Sequence, residues 1–290
     1  MPTGELKAVE VSELLEKIDK IDAITNEAWL GSLNHRKREE LEFHNRDRDP
    51  AVVEAAKTDG DTYEKFYGNK KYYETTARSR NHVSRWIAEN GRDKIFLDYA
   101  CGNGINALAA ARAGARISLG LDISDVSIEN CRRAAAEQGL TNTRFFQADA
   151  ENTLLPDNSI DTVICSGMLH HLDLSFALPE LRRILKPGGR LLAVEALDYN
   201  PAIKLYRKLT PEMRTAWEKA HILSLKDVAF ASRFFDVEEI RYWHIVGYAG
   251  GKLRPLAPLL DLADRLIERV PLLNRLAWMF TFELRKRPTP

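Results

Sequence analysis

Leu97-Asp98-Tyr99-Ala100-Cys101-Gly102-Asn103-Gly104, followed by Gly120-Leu121-Asp122-Ile123-Ser124, is the stretch whose reading decides the fold of this chain. The apolar run from Lys94 to Tyr99 reads as a buried parallel strand. It breaks at a Gly-x-Gly turn into an Ala-rich helix, Ile105 to Ala113, and a second apolar run, Ile117 to Leu121, ends on an acid. Strand, glycine turn, helix and an acid at the next strand's tip form a cradle for a nucleoside with a ribose. The glycines allow close backbone approach, and the helix N-terminus offers unpaired N–H groups. Asp122 is placed to accept hydrogen bonds from both ribose hydroxyls.

The nucleoside is narrowed by what is missing. After Gly104 the chain runs Ile-Asn-Ala-Leu-Ala, without the third glycine of a dinucleotide site, and no Gly-Lys-Ser/Thr phosphate loop occurs. Asp98, ahead of the turn, would repel phosphate and suit an ammonium group. A ligand with a carboxylate, an amine and a ribose is an amino-acid nucleoside, and S-adenosylmethionine is the expectation.

The segment Asp98 to Gly104 resembles the first motif of class I S-adenosylmethionine-dependent methyltransferases. The rest of the set follows in the family's order: Gly120 to Ser124, Phe146-Gln-Ala-Asp-Ala150, Leu155 to Leu172, and Leu185-Lys-Pro-Gly-Gly-Arg-Leu-Leu192. Together they are similar to the type 11 branch, which contains quinone and natural-product methyltransferases. The likeness is strong from Lys94 to Glu195 and weak in the flanks. Ala100 stands where the family usually has a glycine. The resemblance implies a Rossmann-like, mainly parallel seven-stranded α/β sheet with the last strand antiparallel. It also implies cofactor contacts at Asp98, Ala100, Cys101, Gly102 and Gly104, at Asp122 and Ile123, at Asp149 and Ala150 for the adenine, and at Ser166. Methyl transfer needs no metal, and none is expected.

His170 and His171 are the candidate catalytic residues. A histidine there can deprotonate an acceptor hydroxyl near neutral pH, but Leu-His-His-Leu also recurs in related enzymes with different acceptors, which fits a loop-fixing role. Glu195, at the tip of the fifth core strand, is a second candidate base. Tyr206, Arg207, Arg214 and His221 either contact an acceptor or are solvated helix residues.

Composition sets limits. In 290 residues, 44% are hydrophobic, 29% are charged and the formal net charge is zero, which describes a globular chain without a global pull toward nucleic acid. The three cysteines form no Cys-x-x-Cys pair, and the N-terminal stretch lacks an apolar signal core, so a cytoplasmic setting is expected. After the fourth core strand stands Cys-Ser-Gly-Met rather than Asn/Asp-Pro-Pro-Tyr, which argues against base or amide nitrogen acceptors. A small, lipophilic acceptor methylated on oxygen or carbon remains; the alternative is a non-catalytic cofactor-binding scaffold or sensor.

Alternating strands and helices predict right-handed crossovers through the core, taken as 91–200. Strands are expected at Lys94–Tyr99, Ile117–Leu121, Arg144–Gln147, Thr162–Ser166 and Arg190–Glu195. Residues 1–90 read as a helical segment and lid. A helix is expected from Glu5 to about Phe43 after a Ser12 cap, then a linker from Asn45 to Pro50. The charge run from His35 to Glu40 reads as a solvated helix face. Tyr63, Phe66, Tyr67, Tyr72 and Tyr73 would either cover the cofactor or pack on the sheet edge. Residues 201–290 supply acceptor-side helices, two closing strands (Val237–Val246 and Met279–Leu284) and, between them, an insert. There Leu259, Leu262, Leu266, Val270, Leu273 and Ala277 recur at helical spacing with more bases than acids. Such a stretch can lie on an anionic membrane, giving peripheral contact through 252–277, or pack as a helix pair on its own domain.

Overall fold

The computed structural model describes residues 3–288. Its centre is a seven-stranded sheet in the order β3-β2-β1-β4-β5-β7-β6. Strands β1 (Ile95–Tyr99), β2 (Ile117–Asp122), β3 (Thr143–Gln147), β4 (Ile160–Ser166) and β5 (Leu185–Ala196) pair in parallel. β7 (Met279–Arg285) lies between β5 and β6 (Asp236–Trp243), antiparallel to both. Every residue of β1 and β2 is buried, as expected where helices cover both faces of a parallel sheet. Four of the five core strands fall where the sequence places them, within two residues at each end, and β5 begins five residues earlier than expected, at Leu185.

Helices α8 (Ile105–Arg112), α9 (Asp125–Glu137) and α10 (Leu174–Ile184) make the crossovers. Strand order reverses between β1 and β4, so the tips of β1, β2 and β4 open onto one crevice, the usual ligand position in such a sheet.

The N-terminal segment departs from expectation. In place of one long helix there are α1 (Thr3–Asp22), α2 (Asn26–Ser32) and α3 (His35–Arg48). The breaks are local: Thr25 caps α2 by accepting the Ala28 N–H, and Asn34 caps α3 by accepting the Lys37 N–H. Ser12 lies inside α1 rather than at its start. Asn45 to Pro50 is not a linker either. Asp49 ends α3 and caps α4 (Pro50–Thr58), where Pro50 fills the first helical position that needs no N–H donor. Helices α5 (Gly60–Tyr67), α6 (Lys70–Tyr73) and α7 (Ala77–Gly91) lead to β1. Leu14, Ile18 and Ile21 of α1 join the main core, whereas Ile24 is exposed.

Beyond β5, helices α11 (Pro201–Leu209), α12 (Ala216–Ala220) and α13 (Leu225–Ala231) precede β6. The insert before β7 holds one helix, α14 (Ala257–Ile267), and short 3-10 turns instead of a helix pair. It is anchored by charge. The Arg78 guanidinium of α7 meets Asp261 at 2.6 Å, both oxygens of Glu268 at 2.6 Å, and Asp264 at 3.6 Å. Asp264, fully buried, accepts the N–H groups of Ile245, Val246 and Gly247 at 2.8–3.0 Å. Replacing Arg78 with alanine strands these carboxylates, and global stability should fall by about 3 kcal/mol in denaturant titration. An unchanged midpoint would show that the insert is held by its apolar contacts instead.

Candidate functional site

Two adjoining cavities lie above the strand tips. The first, a cleft of about 320 Å³, is lined by Ala100, Cys101, Gly102, Asp122, Ile123, Asp149, Ala150 and Ser166. Eight of the ten predicted cofactor residues therefore meet in one place. Asp98 and Gly104 lie just behind the lining residues. Asp98 is buried and its Oδ2 accepts the Ala107 N–H at 3.0 Å, so it organises the first turn of α8. Burial lifts its pKa to about 7, against the opposing hydrogen bonds from Ala107 and Asn106. Gly104 starts α8 at φ +70°, where an added Cβ would come within 2.8 Å of the Cys131 Sγ.

The glycine turn is set from below. Asp122 accepts the Gly102 N–H through Oδ2 at 2.8 Å and the Ser124 N–H through Oδ1 at 2.9 Å. These bonds occupy one lone pair on each oxygen; the others remain for hydroxyl donors in the cleft. Ala100 sits at φ +52°, so the residue replacing the usual glycine holds the left-handed geometry a glycine would adopt freely. Gly102, at φ +53°, has Arg48 packed where a side chain would stand: an added Cβ would lie 2.2 Å from its Nη1.

The sequence reading missed the roof. The charge run from His35 to Glu40 is not a solvated face: it forms the start of α3 and lies across the cleft. Arg36, Glu40, His44 and Arg48, four residues apart and so on one helix face, line the cleft with Lys37. Lys37 Nζ meets Asp149 at 2.6 Å and Glu151 at 2.9 Å; Arg36 binds Glu151 and the His171 carbonyl. Burial opposes the Lys37 charge, but the two carboxylates prevail and hold its pKa above the ordinary lysine value. Asp149, expected to read an adenine edge, is thus held by the roof in this conformation. The four-residue repeat of polar side chains was the available signal.

The second cavity, about 700 Å³, shares Ser166, Gly167, His171 and Arg48 with the first. Phe66, Tyr67, Tyr72 and Tyr73 line it with Tyr206, Tyr248 and Trp278, so most of the aromatic cluster covers this neighbouring space rather than the cofactor cleft. Tyr206, Arg207 and Arg214 also face it. His221 does not: it stacks on Trp217 at 3.7 Å on the outer side.

The two histidines differ through their partners. His170 lines the second cavity, and its Nδ1 lies 2.7 Å from the buried Glu195 carboxylate. Glu195 is fixed in turn by the Met168 and Leu169 N–H groups at 2.9 and 2.7 Å. Burial disfavours the His170 imidazolium, but Glu195 at Nδ1 and Glu218, 3.8 Å from Nε2, together outweigh burial and raise its pKa. His171 pairs with Glu40 of α3 at 2.9 Å; burial and the neighbouring His170 push it down to about 4. Glu40 also accepts the Thr215 hydroxyl at 2.6 Å, so Glu40 ties the roof both to His171 and to the cap of α12.

With this geometry in view, the comparisons fall into line. Residues 97–193 match the family model described as a methyltransferase domain. The uncharacterized methyltransferase YcgJ of Bacillus subtilis is 29% identical over 54% of this chain and 63% of its own length. The 27-O-demethylrifamycin SV methyltransferase of Amycolatopsis mediterranei is 32% identical, over 41% and 44%. The ubiquinone/menaquinone biosynthesis C-methyltransferase of Idiomarina loihiensis is 38% identical, over 36% and 43%. The chain spans about half the length of the curated relatives it matches. Among solved structures, geranyl diphosphate methyltransferase in complex with GPP and sinefungin aligns at a TM-score of 0.57 with 15% identity, covering 87% of this chain and 99% of that one. The [4+2]-cyclase SpnF aligns at 0.53 with 20% identity, covering 72% and 81%. At such identities the likeness shows the fold. Residues 97–193 are thus similar to the methyltransferase domain, and the sheet has the fold of class I S-adenosylmethionine-dependent methyltransferases.

Two expectations test the cleft. Asp122→Asn should weaken S-adenosylhomocysteine binding by about 2 kcal/mol in calorimetry, and because the amide offers one acceptor oxygen to two buried N–H groups, the melting temperature should fall as well. Arg36→Ala with Lys37→Ala removes several charge-assisted bonds of about 1.5–3 kcal/mol each, so proteolytic cleavage within α3 should speed up at least about tenfold. Equal cleavage rates would mean that α3 is held by the cluster of Trp29, Leu33 and Leu41 alone.

Proposed function

We propose that this chain is a methyltransferase that binds S-adenosylmethionine in the first cleft and transfers its methyl group to a lipophilic small molecule in the second. The observation that carries the reading is the shared wall at Ser166 and Gly167, where a cleft built from the family's motif residues meets an aromatic cavity. The residues present fit the cofactor. Asp122 offers acceptors to the ribose, the cleft comes up to a turn with no side chain at Gly102, and Asp149 and Ala150 border the adenine end. When bound, the cofactor supplies an electrophilic methyl group.

The chain's own residues do the rest. The β4 tip separates the ligands, and α3 excludes water from above. His170 is the better of the two histidines for proton removal. Glu195 orients its ring with Nδ1–H toward the carboxylate, and Nε2, which lies 3.8 Å from Glu218 and beyond hydrogen-bond reach of it, is the atom that accepts a proton from an acceptor hydroxyl. His171, neutral at pH 7 and held by Glu40, positions the loop.

The acceptor side carries a further preference. Arg207 and Arg214 both approach the single carboxylate of Glu218, at 3.4 and 3.6 Å, and burial together with Arg207 depresses the Arg214 pKa. Two guanidiniums around one carboxylate favour an acceptor with an acidic or phenolic oxygen beside its apolar body.

The test is a labelled-methyl assay with a panel of lipophilic phenols, quinols and acids, preceded by calorimetry with S-adenosylhomocysteine. No binding of the product nucleoside would overturn the reading. With an active acceptor, His170→Ala should lower turnover by about a hundredfold or more with cofactor affinity retained. Because the His170 pKa is raised and its neutral form is the working one, wild-type turnover should fall as pH drops through a value above the ordinary histidine pKa. A flat profile from pH 6 to pH 9 would remove the base.

A further inference from the structure

The insert segregates its charges. Asp261, Asp264 and Glu268 recur at steps of three and four residues along α14 and therefore share one face, the face that holds Arg78. At about 100° per residue, Leu259, Leu262 and Leu266 occupy the opposite face, and they are 63%, 55% and 61% exposed. Leu253, Leu256, Val270, Leu272 and Leu273 extend the exposed apolar surface. Lys252, Arg254, Arg265, Arg269 and Arg275 are all exposed as well. Arg265 shares Asp261 with Arg78, and Arg254 comes within 3.8 Å of Glu74. Inside the insert, then, the acids are drawn inward and the bases stand outward among leucines.

An ordinary packed helix would turn that stripe to the core. Here the polar face is the one that packs, because Asp264 caps three backbone N–H groups and Arg78 gathers the carboxylates. The apolar face is left toward solvent, larger than a scatter of single surface leucines. No helix among the described residues is long and apolar enough to cross a membrane. A leucine face rimmed by bases, with its acids withdrawn, is complementary to an anionic bilayer surface in both apolar depth and charge.

We propose that residues 252–276 dock this protein on an anionic membrane surface, with Leu259, Leu262 and Leu266 entering the headgroup–acyl boundary. The docking face flanks the second cavity, since Tyr248 just before it and Trp278 just after it both line that cavity. The proposal stands whatever the acceptor is, and it does not depend on turnover.

Flotation of the full chain with vesicles of phosphatidylcholine alone, or of phosphatidylcholine with phosphatidylglycerol, tests it. The wild type should float with the anionic vesicles at low salt, lose most binding at high salt, and ignore the neutral ones. Each exposed base near the surface strengthens binding about fivefold, so Arg269→Glu with Arg275→Glu should weaken it by well over about tenfold. Leu259→Ser with Leu262→Ser and Leu266→Ser should abolish flotation; these side chains face solvent, so the melting temperature and S-adenosylhomocysteine affinity should hold. Two results overturn the proposal. One is no flotation at low salt. The other is a wild-type dimer in sedimentation velocity that the leucine variant disperses, which assigns the face to a second copy of the chain.

Discussion

Two hydrogen bonds from one carboxylate set up the rest of the site. Asp122, at the tip of β2, takes the Gly102 N–H with one oxygen and the Ser124 N–H with the other. The first bond fixes the turn after β1, and the second fixes the start of α9, where Ser124 in turn caps the Ser127 N–H. A parallel sheet delivers its strand tips to one edge, but the loops leaving those tips are free to diverge. Asp122 removes that freedom for two neighbouring loops, and the left-handed residues at Ala100, Gly102 and Gly104 are held in register as a consequence.

The roof depends on the same economy of buried carboxylates. Glu151 is met by Arg36 and Lys37, and Glu40 is met by His171, His44 and Thr215. The pairings with Glu151, His171 and Thr215 join α3 to the turn after β3, the loop after β4 and the cap of α12, while His44 braces Glu40 from within α3. Buried carboxylates left unpaired would be costly, so the closed arrangement is specified by charge more than by apolar area. The adjacent histidines illustrate how finely partners divide similar groups. Both are half-buried, yet Glu195 favours the charged form of one while desolvation and the neighbouring histidine suppress it in the other.

In the C-terminal insert the usual amphipathic logic is inverted. Arg78 and Asp264 anchor the helix, Ile267 packs on the core beside them, and Leu259, Leu262 and Leu266 stay outside. Periodicity alone treats a leucine stripe as a core face, because in a helix considered by itself nothing says which side meets the protein.

The sequence by itself determined the sheet, the crossovers and the floor of the cleft. Those features rest on local rules, namely buried apolar runs, glycine turns and acids at strand tips, and they are legible in residues 94–195. The roof and the orientation of the insert were decided only by the tertiary structure. Arg36 and Glu151 lie 115 residues apart, and Arg78 and Glu268 lie 190 apart. A charged side chain reads as solvated until its distant partner is known. Asp98 adds a local role that its position alone does not disclose: its carboxylate accepts the Ala107 N–H and so sets the first turn of α8. Short-range pattern decides which elements form, whereas long-range charge pairing decides which faces they turn toward one another.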